Sequence, residues 1–112
     1  MYQEAAKYYE TVKKLDGNGV YTDRIFLDLG RIHLEQKNYN EAEVVAMAFL
    51  NKYPESTQVP QAMKLLAASH SGRKQYEQAI KIFQALLGRA KENPAEIHYM
   101  MGGTYTEMNR LT

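Results

Sequence analysis

The chain has 112 residues, enough for one small domain with a modest core. Its 14 Lys and Arg residues nearly balance 13 Asp and Glu residues, and the resulting formal charge of +1 argues against a general nucleic-acid binder. Cysteine is absent, which excludes a disulfide framework and a thiolate metal site, and no apolar run approaches the roughly 18 residues that span a bilayer.

A short motif occurs three times along the chain, and each copy begins 37 residues after the start of the previous one. The copies read Tyr2-Gln3-Glu4-Ala5, Tyr39-Asn40-Glu41-Ala42 and Tyr76-Glu77-Gln78-Ala79. Each copy opens a stretch of helical periodicity, because apolar residues such as Val45, Ala46, Phe49 and Leu50 recur three, four, seven and eight positions after Ala42. This spacing indicates one supersecondary unit that is stacked along the chain.

Another helix with its own apolar stripe precedes the second and third copies and occurs again near the end of the sequence. The three stripes are Phe26, Leu29, Gly30 and His33; Met63, Leu66, Ala67 and His70; and His98, Met101, Gly102 and Tyr105. The small residues in these stripes allow a neighbouring helix to approach closely. We call these helices first helices, and the helices that open with the repeated motif second helices.

The sequence predicts an all-α fold without strands. Helices are expected over about 3–15, 22–36, 40–53, 59–72, 76–90 and 95–109, separated by the Asp16–Gly19 turn and by Pro54, Pro60 and Pro94. Short connections between antiparallel helices favour an α-solenoid over a closed bundle. The predicted division of the single domain is a half repeat at 1–21 (second helix only), repeats at 22–58 and 59–94, and a half repeat at 95–112 (first helix only). We expect the chain to be a fragment of a longer protein.

These residues resemble the tetratricopeptide repeat family over the whole chain. The copy closest to the family pattern is Phe26, Leu29, Gly30, Tyr39, Ala42, Ala46, Phe49 and Pro54. The chain departs from the pattern in its interval of 37 rather than 34 residues and in His33 and His70, where the family usually has Tyr. The resemblance implies about six helices in a right-handed superhelix that acts as a non-catalytic scaffold and binds a protein or peptide in its concave groove.

The segments Asn51–Ser56 and Val59–Ala62 are similar to a linker in bacterial cell-envelope members of this family, of the outer-membrane assembly lipoprotein and Tol–Pal coordinating types. This resemblance favours a bacterial protein of the cell envelope or periplasm. Cytoplasmic bacterial relatives have similar linkers, so a cytoplasmic location is the alternative.

Binding residues are expected on the first helices, which line the concave face in proteins of this family. The candidates lie off the apolar stripes and are Arg24, Leu27, Asp28, Arg31, Gln61, Lys64, Ala68 and Tyr99, with Leu34, Leu65, Ser71, Glu96, Met100 and Thr106 at further inner positions. Their mixture of charge and apolar area suits a peptide, and Arg31 with Lys64 could attract an acidic side chain. The alternative is that they are ordinary solvated helix residues.

Neither a metal site nor a cofactor site is predicted. His33, His70 and His98 are too far apart in sequence to form the close ligand pair that zinc sites commonly contain, and they are interpreted as structural. No nucleophile elbow or phosphate-binding glycine loop occurs, so no catalytic residue is predicted. Tyr2, Tyr39 and Tyr76 recur in the turn before each second helix and are interpreted as structural wedges.

Self-assembly is the alternative function. Both ends of the sequence carry half a repeat, and the last first helix has Met101 and Tyr105 in its stripe with no following second helix to cover them. Stacked repeats need polar caps for solubility. The sequence therefore also predicts a homo-oligomer that forms through these unfinished helices.

Overall fold

The computed structural model describes residues 22–89 and 93–110, together with the helical positions 7, 11 and 14. Within these residues the chain is all-α, as predicted. Helix α1 spans Thr22–Glu35, α2 spans Tyr39–Lys52, α3 spans Val59–Gly72, α4 spans Tyr76–Leu87 and α5 spans Pro94–Arg110. Helices α1, α3 and α5 are first helices, and α2 and α4 are second helices. The predicted helix over 3–15 and the first half repeat lie outside the described residues apart from those three positions.

The turns that join α1 to α2 and α3 to α4 have the same hydrogen bonds. The Lys37 amide donates to the Leu34 carbonyl at 3.0 Å, and the Lys74 amide donates to the Ser71 carbonyl at 3.0 Å. One residue later, the amides of Asn38 and Gln75 donate at 2.8 Å to the carbonyls of His33 and His70. These bonds satisfy carbonyls at the ends of the first helices, so each turn reverses the chain with few exposed polar groups.

Helix α4 ends at Leu87, before the predicted end at residue 90. The Gly88 amide donates to the Ala85 carbonyl at 3.2 Å, and the Arg89 amide donates to the Leu86 carbonyl at 3.0 Å. Such bonds over three residues tighten the last turn, and glycine is a poor helix former. The helix therefore closes at the glycine.

Ser56 fixes the connection between α2 and α3. Its hydroxyl donates to Asp23 Oδ2 at 2.7 Å and accepts from the Gln58 amide at 3.0 Å. Since Asp23 lies in the first turn of α1, this bond attaches the connection to the start of the preceding first helix. Pro60 follows in the first turn of α3, where its missing amide hydrogen costs nothing.

The core consists of two apolar clusters that meet at α3. The first cluster contains Phe26, Leu27, Ala42, Val45, Ala46, Phe49, Val59, Ala62 and Leu65 from α1, α2 and α3. The second contains Ala67, Ala79, Ile80, Phe83, Leu86, Ile97 and Met101 from α3, α4 and α5. Every helix is thus covered through contact with its neighbours, as stacked repeats require.

Gly30 lies at a close approach of α1 to α2 and α3. A Cβ atom at this position would lie 2.5 Å from Leu65 Cδ2 and 2.9 Å from Val45 Cγ1. Both distances are below van der Waals contact, so a side chain here would push the helices apart. This finding agrees with the predicted role of small residues in the stripes.

The apolar stripe of α5 is only partly buried. Tyr105 is uncovered, as the sequence analysis expects, whereas the expectation that Met101 is uncovered as well is wrong. Met101 is buried, whereas His98 and Gly102 are exposed and the Tyr105 side chain is 44% exposed. The side of α5 that packs against α4 instead carries Ile97. The reason is that α4 covers the corresponding stripe of α3, while no described helix covers that of α5.

Candidate protein-interaction surface

The exposed side of the first helices forms a polar surface, which we call the first-helix surface. It consists of Arg24, Asp28, Arg31, Gln61, Lys64, Ala68, Glu96 and Tyr99. Its residues come from α1, α3 and α5, and all but Ala68 are exposed or take part in a side-chain contact between two of these helices. The structure therefore brings most of the predicted binding residues to neighbouring positions.

Arg31 connects α1 to α3 on this surface. Its Nη1 atom lies 3.3 Å from Asp28 Oδ1, and its Nη2 atom donates to Gln61 Oε1 at 3.2 Å. All three residues were predicted binding positions. The pairing orients the guanidinium across the gap between the helices and leaves Arg31 and Asp28 about half exposed, with side-chain exposures of 46% and 53%.

Lys64 connects α3 to α5 in the same way. Its ammonium nitrogen lies 3.3 Å from Glu96 Oε1, and the lysine side chain is only 12% exposed. Arg31 and Lys64 thus each face a carboxylate of the chain itself. Because these carboxylates offset the two positive charges, the surface alternates in sign and has no concentrated basic patch.

The residues at the sixth position of the three first helices differ sharply in exposure. Leu27 is 1% exposed and belongs to the core cluster that includes Val59 and Leu65 of α3, so it cannot contact a partner, contrary to the prediction. Lys64 is partly covered by α5. Tyr99 is 84% exposed because no described first helix follows α5. Of the predicted aromatic and aliphatic anchors, Tyr99 alone among the described residues is fully open to a partner.

A cleft of about 490 Å³ opens where the first helices end and the second helices begin. We call it the turn-edge cleft. It is lined by Leu34, Tyr39, Ala68, Ser71, Gly72, Lys74, Tyr76 and Glu107. Three of these residues, Leu34, Ala68 and Ser71, lie at predicted inner positions. The lining combines aliphatic and aromatic side chains with an ammonium group and a carboxylate, which suits a peptide side chain and its flanking backbone.

Tyr39 and Tyr76, the two tyrosines that line the cleft, also lie at the junction between first and second helices. A Cβ atom on Gly72 would lie 2.2 Å from the ring of Tyr39, so this ring rests directly on the backbone at the end of α3. This contact agrees with the interpretation of Tyr39 as a wedge. Tyr76 opens α4 at the same place in the next repeat. Sequence analysis missed their presence in a cleft, although the recurrence of tyrosine directly after each turn between a first and a second helix could have indicated it.

A largely buried polar cluster lies beside the cleft, between α2 and the end of α3. Glu43 is 8% exposed, and its carboxylate forms an ion pair with Arg73. His70 Nδ1 lies 3.6 Å from the other oxygen of Glu43 and 2.7 Å from Gln75 Oε1. The charged groups are paired with one another, which is what burial of a carboxylate requires. The cluster therefore joins successive repeats, and His70 is part of it.

Among residues 22–89 and 93–110, no three His, Asp or Glu side chains come close enough together to hold a metal ion. Within the same ranges, no helix combines the length and the apolar character needed to cross a bilayer.

The geometry defines a class of protein: a helical-repeat array with first and second helices in alternating layers. The family model of the tetratricopeptide repeat matches residues 25–56, which cover most of α1 and all of α2. Residues 25–56 are accordingly a repeat of the tetratricopeptide type, and repeats of this type generally act in protein–protein interaction without catalysis. Comparison with curated proteins and with solved structures gave no significant match.

Proposed function

We propose that this chain is a non-catalytic scaffold that binds a segment of a partner protein along the first-helix surface, with the turn-edge cleft as the centre of the contact. The observation that carries the proposal is the position of the cleft. It joins predicted inner residues Ala68 and Ser71 to two tyrosines that recur at the same place in successive repeats. Aromatic residues that are held in place by packing are effective anchors for a peptide.

The charges around the cleft support a protein partner rather than a nucleic acid. Arg31 and Lys64 are each paired with a carboxylate, and Lys74 shares the cleft with Glu107. A phosphate backbone would meet as many negative as positive groups here, whereas a peptide offers charges of both signs and apolar side chains. The partner segment is expected to place an apolar side chain between Tyr39 and Tyr76, with polar groups toward Lys74 and Glu107.

Selection from a random peptide display library tests the proposal, with the full chain as the target. Selected peptides are then titrated against two variants that carry the same substitution. Ala68→Glu introduces a charge and added volume in the cleft, whereas Ala85→Glu introduces them at an exposed position of α4 that does not line it.

Binding that is lost with Ala68→Glu and kept with Ala85→Glu is the expected result. A library that yields no binder, or peptides that bind both variants as tightly as the native chain, would contradict the proposal. Circular dichroism of each variant ensures that lost binding is not lost folding.

A further inference from the structure

We propose that the turn-edge cleft selects an acidic side chain in the segment that it binds, and that Lys74 is the residue responsible for the selection. This selectivity rests on the proposed function, because it concerns the segment that occupies the same cleft. The segment is an internal stretch of a partner protein, with an aspartate or glutamate beside the apolar residue that packs against the tyrosines of the cleft.

The cleft is lined by one cation and one anion, but only the anion has a partner within the described chain. The Glu107 carboxylate accepts a hydrogen bond at 3.2 Å from Nη1 of Arg110, three residues later in α5. Among the described residues, no carboxylate forms an ion pair with the ammonium group of Lys74. Because Arg110 offsets the charge of Glu107, the cleft presents one positive charge in excess.

The neighbouring cation of the same turn is already engaged. Arg73 forms its ion pair with Glu43, whose carboxylate is largely buried between the repeats. Lys74 is exposed at the cleft, so it is the cation of this turn that remains for a ligand. One cation in excess suits a single carboxylate, whereas a nucleic acid needs several such cations to displace its counterions.

Ser71 indicates how the main chain of the segment lies in the cleft. The hydroxyl of Thr104 donates to the Met100 carbonyl at 3.1 Å, so its single proton is not free for Ser71. In the 3.2 Å bond between the hydroxyls of Ser71 and Thr104, the donor is therefore Ser71. This leaves Ser71 with lone pairs for the cleft, which accept a hydrogen bond from a peptide N–H and repel a carboxylate.

The two residues together favour an acidic side chain over the carboxylate at the end of a chain. Ser71 and Lys74 belong to one turn, in which the Lys74 amide donates to the Ser71 carbonyl at 3.0 Å. A main chain that donates an N–H group to the Ser71 hydroxyl can direct a side-chain carboxylate toward Lys74. A chain terminus has its carboxylate on the main chain and would bring it against the lone pairs of Ser71.

Lys37 provides a matched control for Lys74. Both are exposed, and each is followed by one residue and then by the tyrosine that opens a second helix. Their φ angles are 63° and 64°, but of the two only Lys74 lines the cleft. Lys37→Glu and Lys74→Glu therefore make the same change of charge in the same backbone conformation, and only Lys74→Glu makes it in the cleft.

The test begins with selection of one random peptide display library against the native chain, Lys37→Glu and Lys74→Glu. Peptides that bind the native chain but not Ala68→Glu are taken as cleft binders. Among them, the native chain and Lys37→Glu are expected to enrich Asp and Glu beside an apolar residue, and Lys74→Glu to lose this enrichment. Circular dichroism checks that the variants are as helical as the native chain.

Titration of the selected peptides, synthesised with both ends blocked, gives the size of the effect. Replacement of the acidic residue by its amide is expected to weaken binding about two- to fivefold, as for an ion pair at an exposed lysine. The same loss is expected with Lys37→Glu, and none with Lys74→Gln or Lys74→Glu. Peptides with a free C-terminus are expected to bind as the blocked ones do.

Three results would overturn the proposal. Cleft binders whose affinity is unchanged by the amide replacement would remove the acidic selectivity and leave the proposed function intact. Binding that requires a free C-terminus would assign the carboxylate to a chain end. A library without any cleft binder would contradict the selectivity and the proposed function together.

Discussion

Lys37 and Lys74, 37 residues apart, have the same left-handed backbone conformation, with φ angles of 63° and 64°. Each is the second residue after the end of a first helix, and one residue separates it from the start of a second helix. The left-handed region costs a residue with a Cβ atom about 1–2 kcal/mol, and glycine is the usual residue at such helix ends. The repeat therefore reproduces one strained turn at the same place in both complete helix pairs.

Replacement of Lys37 by glycine is expected to stabilise the fold. Relief of the left-handed strain outweighs the greater chain entropy of glycine in the unfolded state, for a net gain of about 0.5–1 kcal/mol. Lys74→Gly should give the same result. As the control, Lys81→Gly in the exposed interior of α4 should destabilise by about 1 kcal/mol, because its backbone is right-handed. Urea unfolding measures all three, and destabilisation by Lys37→Gly would show that the turn is not strained.

The two glycines at the ninth position of α1 and α5 should respond in opposite ways to alanine. Gly30→Ala places a Cβ atom 2.5 Å from Leu65 and is expected to destabilise by about 1–3 kcal/mol. Gly102→Ala meets open space in the described residues and should stabilise by about 0.5–1 kcal/mol through helix propensity. Thermal unfolding of both variants decides the matter. A stabilising Gly30→Ala would mean that α1, α2 and α3 do not approach as closely as described.

The sequence predicted the helices well because the apolar spacing and the prolines carry that information locally. It placed α3 at 59–72, which is where the structure has it. It misassigned Leu27, which it expected to bind a partner, and Met101, which it expected to be uncovered, because burial at a helical position depends on how neighbouring helices pack against it. Leu27 is covered by α3, whereas Gly102 and Tyr105 have no described helix above them. Local periodicity contains no such information.

The sequence predicted the candidate site only in part, because helical spacing shows which side of a helix a residue lies on but not what that residue meets on a neighbouring helix. Helical spacing placed Arg31, Gln61 and Lys64 on one side of the first helices, as the structure has them. The spacing does not reveal that Asp28 and Glu96 already pair with the two cations, since such pairs depend on the distance between helices. Nor does it reveal the turn-edge cleft, whose residues come from the ends of five helices.

The Glu43–Arg73 pair should contribute more to stability than exposed charges do. Glu43→Gln removes the charge from a carboxylate that is 8% exposed, and leaves Arg73 without its partner. Removal of one member of a fully buried pair costs about 3–5 kcal/mol, and because Arg73 is one-third exposed we expect about 1–3 kcal/mol. Glu77→Gln, exposed in the first turn of α4, is the control and should cost at most about 0.5 kcal/mol. If Glu43→Gln and Glu77→Gln lower the free energy of unfolding in urea by the same amount, the Glu43–Arg73 pair does not stabilise the contact between repeats.

The contact between Lys64 and Glu96 can be tested by exchange of the two charges. Lys64→Glu alone brings two carboxylates together and should destabilise by about 0.5–1 kcal/mol, given that Glu96 is half exposed. The double variant Lys64→Glu/Glu96→Lys restores opposite charges and should recover most of that loss. If the double variant loses as much free energy of unfolding as Lys64→Glu and Glu96→Lys lose together when each is made alone, the two residues do not interact. The double variant also reverses the local charge without disturbing the fold, so it reports on partner binding at this position.

Binding of a protein segment at the turn-edge cleft is the central claim, and chemical-shift mapping of the isotope-labelled 12.9-kDa chain with a display-selected peptide tests it most directly. Saturable shifts are expected at the amides of Ala68, Ser71 and Lys74 and in the rings of Tyr39 and Tyr76. Shifts confined to the exposed sides of α2 and α4, with these five residues unchanged at saturation, would contradict the claim.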